Sequence, residues 1–464
     1  MIRFLSINDP YRLLVVLALM AVLGIYAHSR LPEATIPEIR GMITGEMMGE
    51  NKLIYVRVMD STPPVTALIN RAIVEVAGRN LGIRHTLTIA VFFLQAVVFG
   101  LLLINNRAFE QQTYLPPFLY GVLLFFSLDS IAFTREVWSS AFLVLAIDRV
   151  FRQLQFREQQ DANLQVLGLF VGLSSLCAFS YTVFFPGILL ILATTTRLDL
   201  RQVLLYTTGF MLPHLIVMTI YASIDRFPEL WANFYLTNFE FNTRTFMDLK
   251  SLLLLSVVPL TYLVLSLLMS ARNTRFTRYQ SQIFNVMFIW LVFGVVEVWL
   301  SRNRTAQSLV VCIPPIAYFI THYLSRIRRR WLAETMLWIF IGGLLTVSSL
   351  AMQGRISPIS YAQTFAGNAN SDLQEKKLLV LSPDLAVYRN NKAAGFFPEW
   401  AVTEQIFKDP GYYENIVTVY NAFQVDPPDV IIDPEQLMTE MFRHMPDVAK
   451  RYKKVGERYV RVGS

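Results

Sequence analysis

Apolar runs of about twenty residues, the length a helix needs to cross a hydrocarbon core, recur between Tyr11 and Leu350. They put most of the chain in a bilayer, and every other feature must fit that setting. Composition agrees: 54% of the 464 residues are hydrophobic and 16% are charged, against about 25% charged in soluble domains. A soluble enzyme, a disordered chain, a collagen and a disulfide scaffold are all excluded.

The first run, 11–27, is longer than a signal-peptide core and lacks a small-residue cleavage site before His28. It is expected to stay as the first span. Further spans are expected at about 86–104, 115–128, 137–151, 164–178, 180–196, 202–222, 250–269, 280–300, 306–325 and 332–351, making eleven crossings. If the first span runs outward from the cytoplasm, Arg107, then Arg149, Arg152 and Arg157, then Arg197 and Arg201, then Arg272, Arg275 and Arg278, and finally Arg326 with Arg328–Arg330 all face the cytoplasm. Short loops rich in Arg belong there. The formal net charge of +7 is explained by these loops, and no basic stripe interleaved with aromatics points to nucleic acid.

Four pieces then face the other side: the long loop 29–85, Asp129–Glu136, 223–249 and Ser301–Thr305. An odd number of crossings adds the tail. From about residue 353 the long apolar runs stop. "KLLVLS" (377–382) and "PDVIID" (428–433) read as buried strands, "PEQLMTEMFRHM" as a helix and "KKVGERYVRV" as a hairpin. The expected domains are therefore a transmembrane part, 1–352, and a soluble α/β domain, 353–464. Together they define an all-α polytopic bundle with a small extracytoplasmic α/β domain.

Cys177 and Cys312 lie in apolar context and are expected to be free thiols, and the five histidines show no metal-ligand spacing. Neither a Walker pattern nor a GxGxxG loop occurs, which argues against an ATP-driven transporter on this chain. Loop 29–85 is too long for a connector. "EIRGMITGEMM" and "PPVTALINRAIVEVAG" have helical periods, the second opened by Pro after the capping candidates Ser61 and Thr62, with "LIYVRVMD" a short extended piece between them.

An acid about ten positions after the first span, a helix ending in "GEMM", a short "LIY" and a Pro-Pro helix start together resemble the first extracytoplasmic loop of the GT-C-fold glycosyltransferases. Protein O-mannosyltransferases and lipid A aminoarabinose transferases belong to that group. The resemblance extends in outline to the eleven spans, to "SRNRTAQSLVVCIPP" late in the bundle and to the tail "PDVIIDP…MPDVAKRYKKVGERYVRV". It implies transfer of a sugar from a polyprenyl-phosphate carrier to an envelope or periplasmic acceptor at the inner membrane of a bacterium. Whether a divalent cation assists is left open, and so is the need for envelope protein partners.

Such chemistry needs a carboxylate to take the acceptor hydroxyl's proton and positive charge to stabilise the departing lipid phosphate. The resemblance places the first-loop acid at Glu38, with Pro37 where many relatives have a second acid. The alternative for Glu38 is an acid in a helix's first turn. Asp129, Arg135 and Glu136 in "SLDSIAFTREVW" correspond to a further acid and arginine that relatives bring to the cavity, or else form a loop ion pair. Asp60 either enters the same cavity or caps a helix. Arg57 stands near the Pro-Pro where relatives have a basic residue, or lies on an exposed strand.

Arg302 and Arg304 are the leading lipid-phosphate candidates, since arginines in an outer turn run against the positive-inside rule. Arg40 and Arg244 follow. Snorkelling to ordinary headgroups is the alternative. The aromatics of 227–246 read as an interfacial belt before a sugar-stacking lid. Two rivals remain: a non-catalytic subunit of an envelope complex, favoured by the missing second acid, and a transporter or flippase, for which Glu297 alone offers a foothold.

The arginine parity makes a direct prediction. A topology reporter fused after Ser464 should read as periplasmic and one fused after Arg278 as cytoplasmic. Both on one side would overturn the layout.

Overall fold

The computed structural model describes residues 1–464 except 8, 156–160, 197, 240–244, 274–276, 362, 368–372 and 463–464. Arg157, Arg197, Arg244 and Arg275 thus lie outside the described residues, as does the Arg272 side chain. The protein is mostly helical and multi-pass. Arg12–Arg30, Leu81–Asn105, Leu200–Ser223, Arg278–Leu300, Ala306–Arg326 and Arg330–Met352 are each long and apolar enough to cross a membrane. Leu249–Leu255 and Val257–Ala271, bent by 69°, make a seventh if they act as one span.

The remaining four of the eleven expected spans differ in kind. Leu115–Phe126, Asp161–Cys177 and Phe179–Thr195 are apolar but short. Arg135–Gln155 is long, but its first turn holds Glu136 and its last part carries Asp148, Arg149 and Arg152. Hydropathy windows register apolar character and miss both effects, so among the described residues six or seven full-length apolar spans stand where eleven were expected.

The chain divides into two compact units. The first contains Met1–Pro32, Leu81–Ile216 and Phe241–Gln363. Its core is aromatic, with Trp290, Tyr120, Tyr181, Tyr318 and Phe99 almost fully buried. Cys177 and Cys312 are both buried and unbridged. Two helices approach to backbone contact: a Cβ on Gly168 would come within 2.2 Å of the Tyr206 carbonyl oxygen, and one on Gly209 within 2.1 Å of the Gln165 carbonyl oxygen. Small residues permit such packing where no hydrophobic force drives helices together.

The second unit joins Glu33–Asn80, Val217–Glu240 and Thr364–Ser464. Its first helix, Ile36–Gly49, opens with a full capping box, Thr35 and Glu38 each satisfying the other's backbone amide. Pro64 opens Pro64–Ala77, as the sequence indicates, but Ser61 and Thr62 do not cap it: its N-cap is Pro63. "LIYVRVMD" is also not extended. Leu53 O accepts the amides of Val56, Arg57 and Val58, and Tyr55 adopts φ 68°, so the piece is a tight turn. Alternating apolar residues suggested a strand, but no neighbouring strand pairs with them.

The tail carries five strands, β1 (Lys377–Val380), β2 (Lys392–Ala393), β3 (Val430–Ile432), β4 (Tyr452–Val455) and β5 (Arg458–Arg461), in the order β2-β1-β3-β5-β4. β1 runs parallel to β2 and β3, whereas β5 runs antiparallel to β3 and β4. The β4–β5 hairpin turns through Gly456 at φ 63°, a conformation that two-residue hairpin loops demand. Helices Trp400–Lys408, Tyr413–Val425 and Leu437–His444 complete the layer. Leu379, Phe397, Phe407, Val419, Ile431 and Met441 form its core, and Met59 of the first loop packs against it.

Gly168→Val should lower the thermal unfolding midpoint of the detergent-purified protein, because the close carbonyl belongs to backbone and cannot swing aside. Overpacking costs about 1–3 kcal/mol, and the upper end is expected. An unchanged midpoint would show that the helices can separate freely.

Candidate functional site

In the second unit, Arg40 projects from Ile36–Gly49 toward the turn before Pro63. Its Nη2 donates to Asp60 Oδ1 at 2.7 Å and to Ser61 Oγ at 3.1 Å, and pairs with Glu399. Asp60 is fully buried. Thr44 Oγ1 donates to its Oδ2 at 2.5 Å, and the Thr62 amide to its Oδ1 at 3.0 Å. The Ser61 amide donates to Glu399 Oε2 at 2.7 Å. Burial pushes the Asp60 carboxyl up, but the Arg40 charge and the surrounding hydrogen bonds outweigh it and hold the group at about 2. Burial likewise opposes the Arg40 charge, which the two carboxylates more than restore.

Two further clusters tie the same segments. Lys52 Nζ reaches Asp426 Oδ2 at 2.5 Å while Lys377 Nζ reaches Oδ1 at 2.7 Å. Arg79 grips Glu46 through Nε at 2.5 Å and Nη2 at 2.6 Å, and its remaining donors satisfy the carbonyls of Tyr388, Arg389 and Asn391. Glu38 is 1% exposed, and its Oε2 accepts from the Thr35 amide at 3.1 Å and the Thr35 hydroxyl at 3.0 Å. It thus has the helix-capping role that the sequence left as its alternative. Arg57 is exposed on the tight turn, away from these clusters.

In the first unit, Asp129 lies in the short helical turn Leu128–Ile131, 2% exposed, and accepts from Ser127 Oγ. Ser127 in turn meets Tyr361 OH at 2.6 Å. Glu136 binds both the Arg135 Nε at 3.0 Å and the Thr134 hydroxyl at 2.6 Å. Gln307 fastens this loop, its Nε2 donating to the carbonyls of Ser130 at 2.7 Å and Ala132 at 2.6 Å while its Oε1 accepts from Thr134. Gln307, three residues after Arg304, thereby joins this stretch to the 129–136 loop.

Glu297, 1% exposed, completes the group. Ser180 Oγ donates to its Oε1 at 2.7 Å, and Arg135, Glu136 and Arg304 lie within electrostatic reach. Arg302 is half-buried, whereas Arg304 is only 7% exposed. Burial pulls the Arg304 guanidinium's pKa down, and the charges of Asp248 and Glu297 partly offset this. Arg304 Nε, Glu297 Oε2, Ser301 Oγ and Tyr181 OH are buried with no hydrogen-bond partner. Such orphaned atoms in one neighbourhood are unusual in a folded protein and mark a place for water or ligand. Among the described residues no group of three His, Cys, Asp or Glu could hold a metal ion.

A family of unknown function, DUF6427, matches residues 66–353, more than half of the chain. The protein belongs to this family. No curated protein matches the DUF6427 chain in sequence. Its structure is similar to that of ArnT from Cupriavidus metallidurans bound to undecaprenyl phosphate, with TM-score 0.57 and 13% identity over 98% of this chain and 99% of that one. The apo state of ArnT gives TM-score 0.57 over 97% of each chain. The oligosaccharyltransferase of Archaeoglobus fulgidus is more distant, with TM-score 0.48 and 11% identity. The fold of this DUF6427 member is GT-C-like over nearly its full length.

Sequence inspection had singled out Glu38, Asp129, Glu136, Arg135, Arg302, Arg304, Arg40 and Arg57. Arg135, Glu136 and Arg304 gather around Glu297 in one unit, and Arg40 with Asp60 anchors the other. Glu399 and Tyr181 were missed. For Glu399 the available signal was a charge inside the aromatic stretch "GFFPEWAV".

Arg40→Met should destabilise the protein by about 3–5 kcal/mol, since it leaves Asp60 buried without its cation. The Asp60 carboxyl is depressed from its ordinary 3.8 to about 2. Its contribution, ~2 kcal/mol, is complete above about pH 4 and is lost as pH falls toward 2. Unfolding of the detergent-solubilised protein followed from pH 5 to 2 should show this acid limb, and Asp60→Asn should flatten it.

Proposed function

We propose that the chain is an inner-membrane glycosyltransferase that moves a sugar from a polyprenyl-phosphate carrier to an envelope or periplasmic acceptor. The observation that carries this reading is Arg304: a buried cation with an unpartnered Nε, among other buried polar atoms left unpartnered, in a fold similar to a protein crystallised with undecaprenyl phosphate. A buried guanidinium with unused donors is matched by an anion, and a lipid phosphate supplies one.

In the proposed reaction the acceptor oxygen bonds to the sugar's anomeric carbon as the bond from that carbon to the phosphate oxygen breaks. Glu38 takes the acceptor proton, and Asp129 and Glu136 hold the acceptor or the sugar hydroxyls. Polyprenyl phosphate leaves with its charge stabilised by Arg304 and Arg302, and by Arg135 of the same unit. The N-terminus is cytoplasmic, the domain 353–464 periplasmic, and the shorter apolar helices complete the eleven crossings.

A second reading, a non-catalytic GT-C-like subunit of an envelope assembly, draws support from Glu38 serving as a capping-box residue. The two separate cleanly, because Gln caps a helix in the same position as Glu. Glu38→Gln preserves the cap and removes the base, so sugar transfer by the purified protein should fall by roughly 10²–10⁴-fold with donor binding unchanged. Arg304→Ala should instead weaken donor binding by about 1.5–3 kcal/mol. Full transfer by Glu38→Gln would remove Glu38 as the base. No transfer by the wild type across a panel of carriers and acceptors would favour the assembly subunit.

A further inference from the structure

A cleft of about 670 Å³ opens in the first unit, at the opposite end of the Ala306–Arg326 helix from Arg304. Four arginines line it: Arg3, Arg326, Arg328 and Arg330. Against them stand two acids, Glu110 and Glu334, and the Glu334 carboxylate already accepts the Ile2 amide at 2.7 Å. The floor is firm, since His322 is 6% exposed and its ring packs against Phe109 and Tyr318 at centroid distances of 4.6 and 4.7 Å.

Basic loops beside a membrane are normally solvated, and three features bear on ligand binding at this one. The cleft is concave, with a volume in the range of small-molecule sites. Among the described residues Arg3, Arg328 and Arg330 make no ion pair, as is also true of Arg107 and Arg278, whereas Arg152 pairs with Asp148 at 2.8 Å and Arg201 with Asp161. All three residues of the run Arg328–Arg330 are exposed, but only Arg328 and Arg330 line the cleft.

We propose that this cleft is a phosphate-binding site distinct from the transfer site, taking a phosphate-bearing group either from an anionic lipid headgroup or from a soluble phosphate compound. Several arginines lining one concavity offer the positive charge and the forked donors that phosphate oxygens take. On the orientation proposed above the site faces the cytoplasm, but its binding is independent of that orientation and of the transferase reading.

The test is calorimetric titration of the full chain in detergent with inorganic pyrophosphate and, separately, dihexanoyl phosphatidic acid. At least one should bind one-to-one, and Arg328→Gln/Arg330→Gln should weaken it by about tenfold or more while Arg329→Gln leaves it unchanged. Saturation by pyrophosphate assigns a soluble source; binding of the lipid alone assigns a headgroup. Absence of binding by both probes would overturn the proposal, as would equal weakening by Arg329→Gln, which would mean general attraction to the basic run. These positions are exposed at a helix start, so unchanged thermal unfolding of the variants shows that loss of binding is not loss of fold.

Discussion

Arg40, held between Asp60 and Glu399, is the interaction on which the second unit depends. It joins a helix of the first loop to a residue more than three hundred positions later in the chain. A buried ion pair of this kind adds little net stability over apolar packing, yet losing one partner is costly because the other is left charged and desolvated. The arrangement therefore acts mainly as a constraint. Lys52 with Asp426, and Arg79 with Glu46 and three tail carbonyls, impose the same constraint at two other points. In each case a cation on the first loop meets oxygen acceptors on the tail, so the two segments are fixed to one another.

Local signals in the sequence were read well. Glu38 sits in a helix's first turn, Pro64 begins its helix, and "KLLV", "VII" and the terminal hairpin are strands. These features are set by residues a few positions apart. What was misread depends on distant partners. Ser61 and Thr62 looked like helix caps because their hydroxyls precede a Pro-Pro, but the buried Asp60 and Arg40 claim them. "LIYVRVMD" alternates like a strand, yet without a partner strand its amides fold back onto Leu53 O. Glu399 gave no motif at all, since its role exists only once the chain has folded.

Membrane helices pose a similar problem of scale. Hydropathy alone counts Asp161–Cys177 and Phe179–Thr195 with the 25-residue Leu81–Asn105, although each is eight residues shorter. Glu297 illustrates the converse. In sequence it is an isolated charge within an apolar run, and only folding brings it beside Ser180 and within reach of Arg135, Glu136 and Arg304. A carboxylate and a guanidinium with unused hydrogen-bonding atoms in such surroundings are expensive to bury. A ligand that completes those bonds gives a physical reason for them: in the proposed transfer reaction the lipid phosphate accepts from the guanidinium, and a sugar hydroxyl donates to the carboxylate.

The central claim is that the buried arginine at the outer turn holds a polyprenyl phosphate. Native mass spectrometry of the protein released from gently extracted membranes tests it most directly. The account predicts a retained adduct with the mass of a polyprenyl phosphate, depleted in Arg304→Ala and unchanged in Arg329→Gln. Adducts of bulk phospholipid alone, equal in the wild type and in Arg304→Ala, would contradict it.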